Sequence, residues 1–159
     1  MIRDIRLLLL ALWLGAALFF SAVVAPVSFA VLRAFVLPNA GEIAGTIVNR
    51  VLTVVNFSGF IVSLALLLTA FLMKRSGRLF LLELLSLAVV AIATAVGGWL
   101  IAAKLHSLRV AMVLSVDQIP ATDPRRIEFN QWHGYSVAAL AIAMIAALIA
   151  FFAIANRSR

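Results

Sequence analysis

Two histidines and one isolated glutamate are the residues of this chain best suited to acid–base or ligand chemistry. An imidazole such as that of His106 or His133 can carry a proton or bind a metal ion or haem iron. The chain has no cysteine, which excludes disulfides and thiolate ligands. No nucleophile–base pair, phosphate loop or metal-ligand motif accompanies the histidines, so we expect no enzyme activity, no catalytic residue and no cofactor. The alternative is haem or a metal ion held by His133 with His106.

A second group of polar residues precedes the second and fourth apolar stretches of the chain. Arg126, Asn130 and His133 are three or four residues apart, so a helix would place them on one face. We group them with Glu42 and Asn49 as a candidate polar site, with His133 turned inward at the membrane boundary. The simplest role for this histidine is a hydrogen bond to a neighbouring helix, and the alternative is a ligand, proton or metal role.

Small and polar residues recur at helical spacing along the second apolar stretch. In lipid, small residues let helices approach closely and amides form hydrogen bonds across the contact. The row therefore predicts a helix-packing seam, which we define as Gly45, Thr53, Asn56, Gly59 and Ser63. The alternative for the same row is a polar cavity or permeation path lined by Asn49, Thr53 and Asn56.

Glu83 stands alone one turn into the third apolar stretch. A carboxylate in a membrane segment needs a charged partner, and the cations nearest in sequence are Lys74, Arg75 and Arg78. We predict an ion pair with one of them at the membrane interface. A proton-relay role would need an acidic or basic partner deeper in the membrane, and the sequence shows none.

The elements that position these residues are four long apolar stretches. Of the 159 residues, 65% are hydrophobic and 12% are charged, and mean hydropathy is +1.18. Stretches of about 20 apolar residues span a bilayer as helices, whereas barrel strands would alternate apolar and polar residues. We predict an all-α integral membrane protein, a four-helix up-and-down bundle in a single domain, 1–159. The predicted spans are about 7–32, 42–73, 79–107 and 125–155.

The ends of the predicted helices carry recognisable start and stop residues. Asn39 with Glu42 resembles a capping box, and Asp123 before Pro124 is typical of a helix start. Pro26 is expected to kink the first helix. Helices 2 to 4 exceed the bilayer thickness, so we expect them to extend beyond it on the side opposite the termini, where the candidate polar site lies.

The net charge of +7 is not a sign of nucleic-acid binding, because the cations flank apolar runs instead of forming a basic patch. Basic residues concentrate in short segments on the side of the termini, which predicts the cell (inner) membrane with cytoplasmic termini. The run 7–25 is longer than the core of a secretory signal, so we expect it to be a retained span. The expected partners are membrane lipid and a second copy of the chain or other membrane proteins.

Several short motifs follow one another in an order that is similar to a known family. They are Trp13-x-Gly15, Phe19-Phe20, Ala25-Pro26-x-x-Phe29, Ala40-Gly41-x-x-Ala44-Gly45 and Phe129-x-x-Trp132-His133-Gly134-x-Ser136. The chain resembles the domain of unknown function 4149 family, the bacterial relatives of transmembrane protein 205. The resemblance implies a small four-helix membrane protein whose activity is not established.

The family's fold is in turn remotely similar to copper-resistance-D-like membrane proteins, some of whose distant relatives bind haem. Only His133 falls within a resembling motif, so a two-histidine site is not implied by the resemblance. Two hypotheses follow from the sequence. The first is a non-enzymatic transport or permeation component, or a helical partner of other membrane proteins. The alternative is a haem- or metal-binding protein for redox or metal handling, using His133 with His106.

Overall fold

The computed structural model describes residues 1–73, 77–112 and 114–156, and within them it confirms an all-α bundle. Four helices are long and apolar enough to cross a membrane. They are α1 (Ile2–Ala34), α2 (Ala40–Leu72), α3 (Arg78–Ala111) and α4 (Pro124–Ala155). One short 3-10 turn, Val116–Gln118, lies in the connection between α3 and α4.

All four helices are longer than a bilayer requires. They contain 33, 33, 34 and 32 residues. At about 1.5 Å per residue each is roughly 50 Å long, against a hydrocarbon core of about 30 Å. The lengths of α2, α3 and α4 therefore agree with the expected extension beyond the bilayer. α1, which begins at Ile2, is equally long.

The helices pack in chain order around the bundle. α1 contacts α2 and α4, and α3 also contacts α2 and α4, so α1 and α3 lie diagonally opposite each other. The closest packing joins α3 to α4, where a stripe of alanines on α4 lets the two backbones approach. Bulky residues such as Leu68, Phe71 and Ile145 point outward, as expected for helices solvated by lipid.

The contact between α1 and α2 depends on Gly59 of the predicted packing seam. The Trp13 indole lies against this glycine, and its Nε1 donates a hydrogen bond of 2.9 Å to the carbonyl oxygen of Val55. A Cβ atom at position 59 would lie 2.5 Å from Trp13 Nε1, which is too close for any side chain. Ser63, one turn further, is fully buried and donates to the Phe60 carbonyl at 2.8 Å.

Two helices contain a wider π turn. In α1 it covers Phe20–Val24, directly before Pro26, and the Ala25 amide donates to the carbonyl of Phe20. Pro26 has no amide hydrogen, and its ring would crowd the carbonyl one turn earlier, so the predicted kink takes the form of this wider turn. In α3 the π turn covers Val96–Ile101 and contains the pair Gly97-Gly98.

The helix starts agree with the sequence in one case and differ in another. Asp123 accepts a hydrogen bond of 2.8 Å from the Arg125 amide, which confirms it as the cap of α4. The Arg125 side chain also donates to this carboxylate and holds the pKa of Asp123 below its usual value. Asn39 does precede α2, but its side chain makes no capping hydrogen bond, so the capping box with Glu42 is wrong.

The glycines of α1 and α2 allow a matched test of this packing. We expect Gly59→Ala to lower the free energy of unfolding by about 1–3 kcal/mol, because the added Cβ overpacks the Trp13 contact. Thermal unfolding in detergent measures the change. Gly15→Ala is the control, since its Cβ would meet no atom within 4 Å, and it should leave stability unchanged or raise it. Equal effects of the two substitutions would contradict this role of Gly59.

Candidate functional site

A small pocket of mixed polar and apolar lining lies between α2, α3 and α4, and Asn56 forms part of its wall. The Asn56 side chain is only 3% exposed, and no residue in the described part of the chain forms a hydrogen bond with its amide. The pocket wall also includes Asn49 and Thr53 from α2 and Ser136 from α4. The cavity of about 10 Å³ is the size that one water molecule occupies.

The α3 side of the pocket is formed by backbone. A Cβ atom at Gly97 would lie 3.3 Å from Asn56 Nδ2, and one at Gly98 would lie 3.1 Å from Asn56 Cβ. Both glycines belong to the π turn of α3, and such turns occur often at functional sites. The glycine pair therefore brings the α3 backbone directly against the buried amide.

Ser136 provides a second unsatisfied group on the same wall. It is 5% exposed, and among the described residues no hydrogen bond to its hydroxyl is present. An amide and a hydroxyl offer both donors and acceptors, so the pocket can hydrogen-bond an uncharged polar group in either role. Among the residues that the structure describes, no acidic or basic side chain lines the pocket.

The predicted packing seam is buried in one part of α2, and the permeation path predicted for the same row stays a prediction. Asn56, Gly59 and Ser63 are buried in the bundle, whereas Thr53 and Asn49 are exposed. The Thr53 hydroxyl donates to the Asn49 carbonyl at 2.8 Å instead of crossing to another helix. Close packing therefore describes the second half of the row, and a polar lining describes the first half.

The fold does not bring the residues of the predicted polar site into contact with one another. In the described part of the chain, no ion pair or hydrogen bond links any two of its members. Arg126 donates to the carbonyl of Ile119 and so ties the preceding loop to α4. Asn130 and His133 are exposed, and Glu42 is half-buried.

The expected inward orientation of His133 is wrong, because this residue is exposed. The buried side of α4 includes Ser136, Leu140, Ala143 and Ala147, three or four residues apart. Trp132, four residues before Ser136, packs against the small apolar cluster of Leu108, Met112 and Ile119. His133 is three residues before Ser136 and seven before Leu140, so the helical period does not separate it from that side, yet it is exposed.

His106 is also exposed, on α3. The described residues contain no group of three His, Cys, Asp or Glu side chains placed to hold a metal ion. The haem or metal alternative stays a prediction, without a residue cluster that favours it.

The cations at the end of the bundle opposite the termini connect the helices to one another. The Arg109 guanidinium lies 5.6 Å from the centre of the Phe129 ring and donates to the Thr46 hydroxyl at 3.4 Å. Lys104 pairs with Glu128 at 2.8 Å. A small apolar core of loop and helix residues lies beside them, formed by Leu108, Met112 and Ile119 with Val116, Phe129 and Trp132. The side chains at this end of the molecule are therefore packed against one another.

A buried ion pair lies at the opposite end, close to the termini. Arg6 of α1 is 3% exposed and Glu83 of α3 is fully buried, and the two form a salt bridge across the bundle. The same guanidinium donates to the Leu66 carbonyl of α2 at 2.9 Å. The predicted ion pair of Glu83 exists, but its partner Arg6 comes from another helix and lies in the interior. Lys74 and Arg75 lie outside the described residues.

Sequence reasoning missed Arg6, Gly97, Gly98 and Ser136 as site residues. Arg6 lies near the start of α1, and Glu83 lies near the start of α3. In an up-and-down bundle these two starts are on the same side, so the two residues lie at similar depth. This similar depth was the available indication that they pair. A pair of glycines inside an apolar run is likewise an indication of close backbone approach. Nothing in the sequence indicated that Ser136 would lack a hydrogen bond.

The fold defines a four-helix, multi-pass membrane protein. The chain belongs to the family named Domain of unknown function (DUF4149), whose model matches residues 8–114. The resembling motif around His133 lies beyond the matched residues. No curated protein and no solved structure gives a significant match, and the remote similarity to copper-resistance-D-like proteins is not supported.

The buried ion pair makes a direct stability prediction. We expect Glu83→Leu to lower the free energy of unfolding by about 3–5 kcal/mol, because it leaves the Arg6 charge buried without its carboxylate. Replacing both members, as Arg6→Leu with Glu83→Leu, should recover most of that loss. Thermal unfolding in detergent compares the two. A double variant as unstable as the single variant would contradict the pairing as the source of the effect.

Proposed function

We propose that the protein is a non-enzymatic transport or permeation component of the cell (inner) membrane. The observation that supports this function is the pair of buried groups, Asn56 and Ser136, that face one cavity without a hydrogen bond to any described residue. A bound solute or head group would supply hydrogen bonds to these two groups.

A row of polar residues on α3 continues from the pocket toward the other side of the membrane. Thr94, Ser86 and Glu83 are buried, and with Gly97 they share one face of the helix. The row ends at the Arg6–Glu83 salt bridge near the termini. Polar groups thus occur at several depths inside the bundle, as a path for a polar group requires.

Apolar side chains separate the pocket from the ion pair in this conformation. Leu66, Leu87 and Val90 are nearly or fully buried at the intervening depth. Passage would require α2 and α3 to separate at these three side chains. The pocket, the apolar barrier and the ion pair together correspond to a path that is closed on the side of the termini.

The orientation proposed for this path follows the distribution of positive charge. We propose that both termini are cytoplasmic, because the basic residues on their side are concentrated in short segments. These residues are Arg3, Arg6, Lys74, Arg75, Arg78, Arg157 and Arg159. The pocket then lies toward the opposite, outer side.

The absence of native cysteine permits a test that does not require the substrate. Single cysteines are introduced as Ser136→Cys in the pocket and Ser86→Cys beyond the apolar barrier. The protein in lipid vesicles is treated with the small water-soluble reagent 2-aminoethyl methanethiosulfonate, and modification is followed by mass spectrometry. We expect both cysteines to react, the one at position 86 more slowly because it waits for the barrier to open.

Ala17→Cys is the matched control, since position 17 is fully buried on α1, diagonally opposite α3. It should stay unmodified under the same conditions. Modification at position 136 without modification at position 86 would overturn a continuous path. Modification of all three cysteines at equal rates would show general loosening of the bundle and would also overturn the proposal.

A further inference from the structure

The polar pocket continues sideways into a second recess on the lipid-facing surface between α2 and α3. This recess has a volume of about 70 Å³ and is lined by Thr53, Phe57, Gly98 and Trp99. Thr53 and Gly98 line both spaces, so the two are adjacent. The rings of Phe57 and Trp99 are 54% and 49% exposed, and a molecule entering the recess in a membrane therefore comes from the lipid.

The aromatic edge of the recess is held in a defined position. The ring centres of Trp99 and Phe60 are 5.1 Å apart with the planes nearly perpendicular, and those of Trp99 and Phe57 are 6.3 Å apart. Edge-to-face pairs of this kind fix the indole against the surface of α2. The recess thus has an ordered apolar rim with a polar interior behind it.

The depth of the pocket limits the kind of head group that can reach it. Asn56 follows Arg50 by six residues, and Gly98 precedes Lys104 by six, so the pocket lies about 9 Å below these charges. Charged lipid head groups stay near the level of such cations, at the membrane surface. A phosphate drawn to the pocket would lose its water without gaining a cation, because the lining is uncharged.

We infer that this cleft binds an uncharged lipid of the diacylglycerol type, with its hydroxyl-bearing head in the pocket and its chains along Phe57 and Trp99. The Asn56 amide can donate to an ester carbonyl and accept from the hydroxyl, and the Ser136 hydroxyl can do either. The inner cavity admits one group of the size of water, which matches the terminal hydroxyl of such a head. This inference rests on the proposed function, for which it names the class of substrate.

Photolabelling tests the inference on the full chain in phosphatidylcholine nanodiscs. The probe is a dioleoylglycerol analogue with a diazirine in one acyl chain, and the labelled residues are mapped by mass spectrometry. We expect labelling to concentrate on residues 53–60 and 98–102. An excess of unlabelled dioleoylglycerol should remove it, whereas dioleoyl phosphatidic acid should not.

Two variants connect the labelling to the proposed contacts. Asn56→Leu should reduce the saturable labelling about tenfold, since it removes hydrogen bonds from the head while keeping a side chain branched at Cγ. Ser136→Ala should reduce it less. Asn130→Leu is the control, because Asn130 is exposed on α4 outside both recesses, and it should label as the original chain does. Unfolding temperatures confirm that each variant is folded.

Three results would overturn the inference: labelling spread evenly over the lipid-facing helices, equal competition by phosphatidic acid, or no effect of Asn56→Leu in a folded protein. The two proposals can fail separately. Reactive cysteines at positions 136 and 86 without saturable lipid labelling would retain the path and reject the diacylglycerol-type ligand. Saturable labelling with an unreactive cysteine at position 86 would retain the lipid site and reject transport.

Discussion

Hydrocarbon contains no hydrogen-bonding partner, and every part of this structure is arranged around that constraint. The backbone satisfies it by forming helices throughout the spans. Hydroxyl groups satisfy it locally, as Thr94 and Ser63 do by donating to carbonyls of their own helices. The buried charges satisfy it by pairing, Arg6 with Glu83, and Arg6 extends to the Leu66 carbonyl as well. Asn56 and Ser136 are buried polar residues that line one pocket and form no hydrogen bond with a described residue, which makes the pocket the candidate site.

The helix contacts show how small residues provide the space for such polar groups. Gly59 admits the Trp13 ring and thereby joins α1 to α2. Gly97 and Gly98 bring the backbone of α3 to Asn56 on α2. In both cases the glycine determines which helix the neighbouring side chain meets. The π turn at Val96–Ile101 places Trp99 beside the same pocket, on the outer surface. One local irregularity of α3 thus forms the polar wall and the aromatic rim together.

The two ends of the bundle have different physical roles. The end opposite the termini is held by exposed pairs such as Lys104 with Glu128, and each such pair contributes little to stability. A small apolar core around Met112 supplies the packing there. At the end near the termini, a buried ion pair between described residues joins the two diagonal helices. Separation of α2 and α3 at that end would disturb Arg6, which bonds to both helices.

The sequence by itself determined the four helices, their approximate bounds, the cap at Asp123 and the membrane class, because apolar length and local capping are properties of neighbouring residues. It also placed Gly59 and Asn56 on a packing face of α2. It gave the wrong orientation for His133 and the wrong partner for Glu83, since both depend on the rotation of one helix against another. Only the tertiary structure decided that Arg6 pairs with Glu83, and that Asn56 meets two glycines instead of an amide. The reason is that these contacts join distant parts of the chain, and many different rotations of four apolar helices satisfy the same hydropathy pattern.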